Sequence, residues 1–121
     1  MREVPPGLSF LFDSLLDVVY KRHMACEVRT TGEFDNWLDG LRDTVAREAI
    51  AARLIRASLG NFGDHRPVGE GVMEIRIFVG AGYRAYFTVR QRRIVFMPCG
   101  GDKGSQSWDI RRAKEISDEI D

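Results

Sequence analysis

The sequence predicts an α+β domain in which a hairpin of two helices packs on a mainly antiparallel sheet of about four strands, followed by a C-terminal helix. Three observations predict this class. Apolar residues alternate through positions 72–99, they recur at helical spacing in two stretches between 31 and 60, and they do so again after position 105. A chain of 121 residues is long enough to bury one core.

The sheet is predicted mainly from residues 72–99, where short turns separate three strand-like segments. Apolar side chains at 73, 75, 77 and 79 alternate with a second set that includes Glu74 and Arg76, as in a half-buried strand. The glycines of the turn at 80–82 allow a tight reversal, and further strands are predicted at 83–89 and 94–99. Strands joined by short turns pair antiparallel. Residues 25–30 supply a fourth strand, and residues 61–71 are predicted to be a loop.

Two helices are predicted between the first strand and this loop. Thr31 is a suitable N-cap for the first, and Asp43 or Thr44 for the second, which ends at Gly60. The expected buried side of the second helix is Val45, Ala49, Ala52, Ile55 and Leu59. Because the connection between them is short, the two helices are predicted to form an antiparallel hairpin on one sheet face.

The last helix is predicted to run from Trp108 to about Ile120, with Ser105 or Ser107 as its cap. At the other end of the chain, residues 1–23 are predicted to be an extension and residues 24–121 the domain. Leu8–Tyr20 is apolar but too short and too charged to cross a bilayer. Two interpretations stay open for it: an amphipathic helix, or residues upstream of a domain that begins near Met24.

Charge is unevenly distributed although the formal net charge is zero. Residues 42–103 carry 11 basic and 6 acidic groups, whereas both ends of the chain are net acidic. A basic centre favours a polyanionic partner, although ordinary surface arginines would give the same count. Cys26 and Cys99 lie in apolar, strand-like contexts, which predicts buried thiols in a reducing cytoplasm.

Several chemistries find no support in the sequence. It contains no glycine-rich phosphate loop, no serine–histidine–acid arrangement and no set of residues with metal-ligand spacing. What remains is a group of cations on neighbouring strands, Arg76, Arg84 and Lys103, which could bind phosphate. Metal-free RNA cleavage also needs groups that move protons. The candidates for that role are Lys103, Asp109, Glu74 and His65.

Four stretches between Glu33 and Ala113 match a known superfamily in the expected order: EFDNWLDGLRD, ARLIRASLGNFGDHRPVGEGVMEIRI, GAGYRAYF and CGGDKGSQSWDIRRA. They resemble the RelE/ParE toxins, in particular the phage-derived, HigB-like addiction module killer branch. The resemblance implies a RelE-like fold, with a two-helix hairpin on a twisted antiparallel sheet. It also implies the toxin half of a toxin–antitoxin pair. For RelE-like and HigB-like members it implies a ribosome-dependent mRNA interferase that needs no metal or other cofactor.

The resemblance also assigns roles to individual residues. Arg84 matches the arginine that contacts the scissile phosphate, and Arg76 and Lys103 match basic positions. The sequence departs from the pattern at Glu74, where a basic residue is expected, and near Trp108 and Asp109, where a tyrosine is absent. The predicted site comprises Arg76, Arg84, Lys103 and Asp109 as catalytic residues, Tyr83 and Arg56 as substrate-binding residues, and Glu74 and His65 as minor candidates. For Arg76 and Arg84 the alternative is an ion pair with Glu74 or Glu70 on a solvated sheet face.

Three classes of function stay open at this point. The first is a cytoplasmic toxin that cleaves translated mRNA. The second is a ParE-like toxin that inhibits DNA gyrase without cleaving RNA, and the third is a nucleic-acid- or protein-binding module that has lost activity. The expected partners are a cognate antitoxin, typically a helix-turn-helix protein from an adjacent gene, together with the ribosome and its mRNA. No membrane partner is expected.

Overall fold

The computed structural model describes residues 2–3 and 26–120. It confirms the α+β class. The strands are β1 (Arg2–Glu3), β2 (Glu27–Thr30), β3 (His65–Gly69), β4 (Val72–Ile77), β5 (Tyr83–Arg90), β6 (Ile94–Met97) and β7 (Gly100–Asp102). The helices are α1 (Gly32–Gly40), α2 (Thr44–Ser58) and α3 (Gln106–Glu119), the last preceded by a 3₁₀ turn at Lys103–Ser105.

The strands form one mixed sheet in the order β1-β2-β6-β5-β4-β3, with β7 pairing with the first residues of β5. Five of the six pairings in the described residues are antiparallel, and β2 with β6 is parallel. The predicted count of about four strands is therefore wrong. The sequence analysis missed β3 because four of its five residues are exposed, so it shows no alternation. It missed β7 because Gly-Gly-Asp has no apolar side chain.

The N-terminal prediction lies largely outside the described residues. Arg2–Glu3 pairs antiparallel with the end of β2. The remainder of residues 1–23, including Leu8–Tyr20, and the boundary near Met24 are not among the residues that the structure describes.

Helices cover both faces of the sheet. On one face, α1 and α2 pack against a core that includes Ile75, Ile77 and Phe87. On the other face, α3 packs Ala113 and Ile116 against residues that include Val72, Tyr86 and Cys99. The alternation predicted for β4 is confirmed, since its odd-numbered residues face α1 and α2 and its even-numbered residues face the other way. The sheet is thus enclosed between two helical layers.

The prediction that α1 and α2 form a helix hairpin is wrong, because the two helices do not chiefly contact each other. The chief neighbour of α1 is β7 and that of α2 is β2, so each helix packs on the sheet more than on the other helix. The prediction of which side of α2 is buried is also wrong. Ile50 and Leu54 are buried, whereas Val45 is 61% exposed and Leu59 is 41% exposed. Apolar residues occur all around this helix, so its periodicity did not identify the face that contacts the sheet.

Helix capping follows the sequence at two of the three helices in the described part of the chain. Thr31 Oγ1 accepts a hydrogen bond from Phe34 N at 3.0 Å, and Asp43 Oδ1 accepts one from Ala46 N at 3.0 Å. The third prediction is corrected, because α3 begins at Gln106 and Ser105 makes no side-chain capping bond. Instead, the Asp102 carboxylate accepts from the backbone nitrogens of Gly104 and Ser105 and thereby begins the 3₁₀ turn.

The two cysteines are free thiols in different surroundings. Cys99 is buried, as predicted, whereas Cys26 is only half-buried. Burial raises the pKa of Cys99 to about 12, so this thiol stays protonated at neutral pH.

Two adjacent glycines allow helices to approach β7 from opposite faces. A Cβ added to Gly100 would overlap the Trp37 ring of α1, and a Cβ added to Gly101 would overlap the Asp109 carboxylate of α3. Side chains of successive strand residues point to opposite faces, so each glycine vacates the space that one helix fills. The Gly-Gly pair is therefore a packing requirement of the three-layer arrangement.

This packing predicts a specific cost for Gly101→Ala. The added methyl group has no room beside Asp109, and overpacking of this kind lowers the free energy of unfolding by about 1–3 kcal/mol. Gly40→Ala is the matched control, because a Cβ there meets nothing within 4 Å and alanine favours the helix. Equilibrium urea denaturation measures both. Adding Asp109→Ala to Gly101→Ala should recover part of the loss, and additive effects would contradict the proposed overlap.

Candidate functional site

A groove of about 320 Å³ lies where β4 ends and β5 and the turn after β7 begin. Its wall contains Arg76, Phe78, Tyr83, Arg84 and Lys103, together with the turn at Gly80–Gly82. The structure therefore brings together four of the residues singled out in the sequence: Arg76, Tyr83, Arg84 and Lys103. The backbone nitrogen of Lys103 donates to Gly82 O at 3.1 Å, which fixes the end of β7 beside this turn.

Two arginines lie directly opposite each other in this groove. Arg76 on β4 and Arg84 on β5 are Cα partners in the antiparallel pairing, so their side chains leave the same face of the sheet. Like charges in such a cross-strand pair are destabilising. Arg84 continues the row to Gly101 on β7, the glycine that the Asp109 carboxylate covers. The sequence therefore places two cations where packing alone would disfavour them.

The three cations of the groove are partnered to different degrees. Arg76 pairs with Asp64, with Nη2 and Oδ1 2.9 Å apart, and its guanidinium lies 5.6 Å from the centroid of the Phe78 ring. Arg84 makes a single longer ion pair, 3.7 Å from Nε to Glu74 Oε2. Lys103 is exposed and has no ion-pair partner among the described residues. The Nε atoms of both arginines are buried without a hydrogen bond. The donors available to an anion in the groove are therefore Lys103 and the Arg84 Nη atoms, which make no hydrogen bond with the described residues.

Glu74 lies beside the groove, within ion-pair distance of Arg84. Its side chain is fully buried, and Oε1 accepts from Arg66 Nε at 2.9 Å. The other oxygen, Oε2, accepts from the Tyr86 hydroxyl at 3.1 Å and from Gln106 Nε2 at 2.9 Å. The ion pair of Arg84 with Glu74 that the sequence offered as an alternative is thus present. The expected solvated face is wrong at this position, because α3 covers it through Gln106.

This network controls the ionisation of its members. Burial raises the pKa of Glu74, but hydrogen bonds from Arg66, Gln106 and Tyr86 and the charge of Arg66 outweigh burial, so the net pKa is lowered. Burial and the neighbouring Glu74 charge raise the pKa of Tyr86 beyond its ordinary range. Glu74 is therefore a carboxylate and Tyr86 a phenol at neutral pH. In this ionisation state Glu74 accepts hydrogen bonds from Arg66, Tyr86 and Gln106.

The other predicted residues lie away from the groove. Asp109 is buried in α3, accepts a hydrogen bond from Ser105 Oγ and fills the space above Gly101. Burial raises the pKa of Asp109, the hydrogen bond from Ser105 opposes this, and the charges of Asp102 and Glu33 add to it.

Arg56 and His65 are exposed side chains outside the groove wall. Arg56 is in the last turn of α2. The Nδ1 atom of His65 lies 2.8 Å from Gly63 O, and the ring contacts Phe62 and Phe87. Neither side chain is positioned by a contact with the groove arginines.

Sequence reasoning missed Arg53, which positions the groove from α2. Its guanidinium donates to three backbone carbonyls, those of Arg76 at 2.7 Å, Phe62 at 2.9 Å and Asp64 at 3.0 Å. These bonds fasten the segment before β3 to the end of β4, which places Asp64 beside Arg76. No spacing in the sequence identifies such a contact, because the carbonyls come from two separate segments.

These features define an α+β domain with a cationic groove at one end of its sheet. A protein of Haemophilus influenzae, described as an uncharacterized protein, is 41% identical over 97 residues, or 80% of this chain and 98% of that protein. The chain belongs to the same family as that protein. No family model matches the chain, and no solved structure does. The RelE/ParE resemblance accordingly stays a prediction. Within the described residues, no helix has the length and apolarity required to span a bilayer.

The Glu74 network predicts a pH dependence of stability. The folded state lowers the pKa of Glu74, so its stabilising contribution is present above the unfolded pKa of about 4.3 and is lost as pH falls through the folded value. Glu74→Gln removes this titration. The difference in free energy of unfolding between wild type and Glu74→Gln should therefore be largest near pH 6 and should shrink towards pH 3.

Urea denaturation across this pH range measures the effect, and the contribution of Asp109 cancels because both proteins contain it. Glu48→Gln is the control, since Glu48 is exposed on α2 without an ion pair among the described residues. A difference that stays constant with pH would show that folding does not lower the pKa of Glu74.

Proposed function

We propose that the protein is the toxin of a type II toxin–antitoxin pair and cleaves translated mRNA on the ribosome without a metal ion. The observation that carries the proposal is the opposed pair Arg76 and Arg84 with Lys103 in one groove. A phosphate bound between these cations would offset their repulsion and would satisfy guanidinium donors that the protein leaves open. The resemblance to RelE-like and HigB-like toxins supports the same polyanion and the same reaction.

Arg84 is the residue best placed to hold the scissile phosphate. Its Nε faces the Glu74 carboxylate, so one edge of the guanidinium is oriented by the protein, while its Nη donors have no hydrogen bond with the residues that the structure describes. A donor oriented before the substrate arrives stabilises the charge that develops in the transition state. Arg76 adds positive charge from the opposite strand but shares it with Asp64.

Lys103 is assigned the proton-donor role in this proposal. Among the groove residues, only Lys103 and Tyr83 carry an ionisable proton besides the arginines. The Lys103 ammonium is exposed, whereas Asp109 and His65 lie outside the groove wall. A general acid has to reach the leaving 5′-oxygen directly or through one water molecule. The proposal therefore places Tyr83 in substrate binding and leaves Asp109 as a packing residue.

The second candidate is a ParE-like toxin that inhibits DNA gyrase without cutting RNA. One observation favours it: Glu74 lies buried where a basic residue is expected, and among the described residues no carboxylate or histidine lines the groove as a proton acceptor. A DNA supercoiling assay separates the two. Inhibition of gyrase without mRNA cleavage supports this candidate, and the absence of both effects indicates a binding module without activity.

Control by a partner is part of the proposal. A toxin that acts on translation in the cytoplasm needs a cognate antitoxin, and the resemblance implies a helix-turn-helix protein from an adjacent gene. Lys103 and Arg84 offer an acidic segment of such a partner a direct target. The apolar positions Val45 and Leu59 on the exposed side of α2 offer a steric alternative.

Arg84→Ala tests the assignment of the phosphate-binding residue. Losing one preorganised donor at such a site costs on the order of 100-fold or more in rate, so growth arrest and mRNA cleavage should disappear. Glu74 keeps its three hydrogen-bond donors, so the variant should remain folded, which circular dichroism checks. Primer extension on mRNA from a translating extract measures cleavage.

Arg93→Ala is the matched control for Arg84→Ala. Arg93 is exposed in the turn between β5 and β6, and its side chain has no ion pair or hydrogen bond with the described residues. This variant should keep full activity. A folded Arg84→Ala protein that arrests growth at the wild-type dose would refute the role of Arg84.

Lys103→Met separates chemistry from docking. Methionine keeps an unbranched side chain but removes the charge and the proton, so cleavage should be lost while ribosome binding is retained. Co-sedimentation with ribosomes and primer extension measure the two properties. Lys114→Met, in α3 and outside the groove wall, should cleave normally. Weakened ribosome binding that fully explains the lost cleavage would make Lys103 a docking residue.

A further inference from the structure

Phe78 is the most exposed large apolar side chain in the described part of the chain, at 77%. It follows β4 directly and forms part of the groove wall with Arg76, Arg84 and Lys103. An aromatic ring left in water forfeits the free energy that its burial would supply. The other exposed large apolar residues are not part of this wall. An aromatic ring and three cations therefore share one small groove.

The turn at Gly80–Gly82 forms another part of the same groove wall. Gly80 and Gly82 both adopt positive φ, which favours glycine. A Cβ added to Gly82 meets nothing within 4 Å, whereas one added to Gly80 would meet Asp43 Oδ2 at 2.7 Å, so the open side of the turn is at Gly82. Ala81 between the two glycines has a small side chain. The Arg76 guanidinium approaches the Phe78 ring as a cation–π partner, 5.6 Å from its centroid. Because Phe78 is 77% exposed and the turn is open at Gly82, a flat group has access to the ring.

We propose that Phe78 is the base-stacking platform of a subsite for one unpaired nucleotide of single-stranded RNA. The base lies on the Phe78 ring, and the adjoining phosphate is held by Arg84 and Lys103. This inference rests on the proposed function and adds the form of the substrate at the groove. Cationic grooves with exposed aromatic rings bind single strands in this way, because a base that is free of a partner strand can turn its face to the ring.

The chemistry of the ring also limits what Phe78 can select. Phenylalanine has no hydrogen-bonding group, and every base has a π face, so stacking adds affinity with little preference among the four bases. A free phosphate or an acidic peptide would engage the cations without needing the ring. The contribution of the base to affinity is therefore the property that distinguishes this subsite from a simple anion site.

The experiment compares two short RNA probes of equal length, one with bases and one abasic. Fluorescence anisotropy with the full chain measures their affinities at about 50 mM salt, where phosphate contacts are strong. Phe78→Ala should weaken binding of the base-bearing probe roughly 5- to 100-fold, the range expected for one lost stacking contact, and should leave the abasic probe unchanged. Trp108→Ala, which removes an exposed aromatic side chain outside the groove, should bind both probes like wild type.

Phe78→Trp gives a second readout that does not depend on the stability of the alanine variant. An indole in this position should keep the affinity, and its emission should be quenched by the base-bearing probe and not by the abasic one. The proposal is overturned if Phe78→Ala affects both probes equally or neither, if Phe78→Trp shows no selective quenching, or if the wild type binds neither probe.

Failure of the Phe78 subsite and failure of the proposed nuclease function give different results. Base-dependent binding through Phe78 without mRNA cleavage on ribosomes would retain the subsite and reject the nuclease. Normal cleavage by wild type, with Phe78→Ala binding both probes as wild type does, would retain the nuclease and reject the subsite.

Discussion

The buried carboxylate of Glu74 is the constraint around which one face of the sheet is arranged. An isolated charge in this position would be strongly unfavourable, so its donors have to arrive together. They come from separate elements: Arg66 from β3, Tyr86 from β5 and Gln106 from α3. One side chain thereby joins an edge strand, a central strand and the covering helix. The arrangement explains why a strand with few buried residues stays attached to the sheet edge.

The same carboxylate shapes the groove. Arg84 lies within ion-pair distance of Glu74 but forms no hydrogen bond with it, which orients the guanidinium without satisfying it. Arg76, on the opposite strand, is restrained by Asp64, and Arg53 fixes the backbone that carries both residues of that pair. The two arginines therefore occupy defined positions before any ligand binds. A site arranged in this way can bind an anion with little reorganisation.

The sequence predicted the strands whose apolar residues alternate along the chain and missed the strands that have no such apolar pattern. In β4 the odd-numbered residues are all apolar, whereas the even-numbered residues include Glu74 and Arg76. The strand and the clustering of Arg76 with Arg84 could therefore be inferred. β3 carries exposed side chains and β7 carries glycines, so neither gives a periodic signal. Glu74 shared a parity with Arg76 and was expected beside solvent, because the sequence does not reveal that α3 crosses this part of the face. Phe78 had the same parity, but its exposure depends on where β4 ends.

The groove and the covering helix have a common origin in the segment after β7. Gly101 admits the Asp109 carboxylate, which lets α3 lie close to the sheet beside the row that contains Arg84. Asp102 then caps the 3₁₀ turn from which α3 begins, and Lys103, the first residue of that turn, is held against Gly82 at the groove. A shift of the turn would move Lys103 and would also withdraw Gln106 from Glu74. The position of the exposed lysine is thus coupled to the burial of the carboxylate, so the charge of the groove depends on the packing of α3 as much as on the strands that carry its arginines.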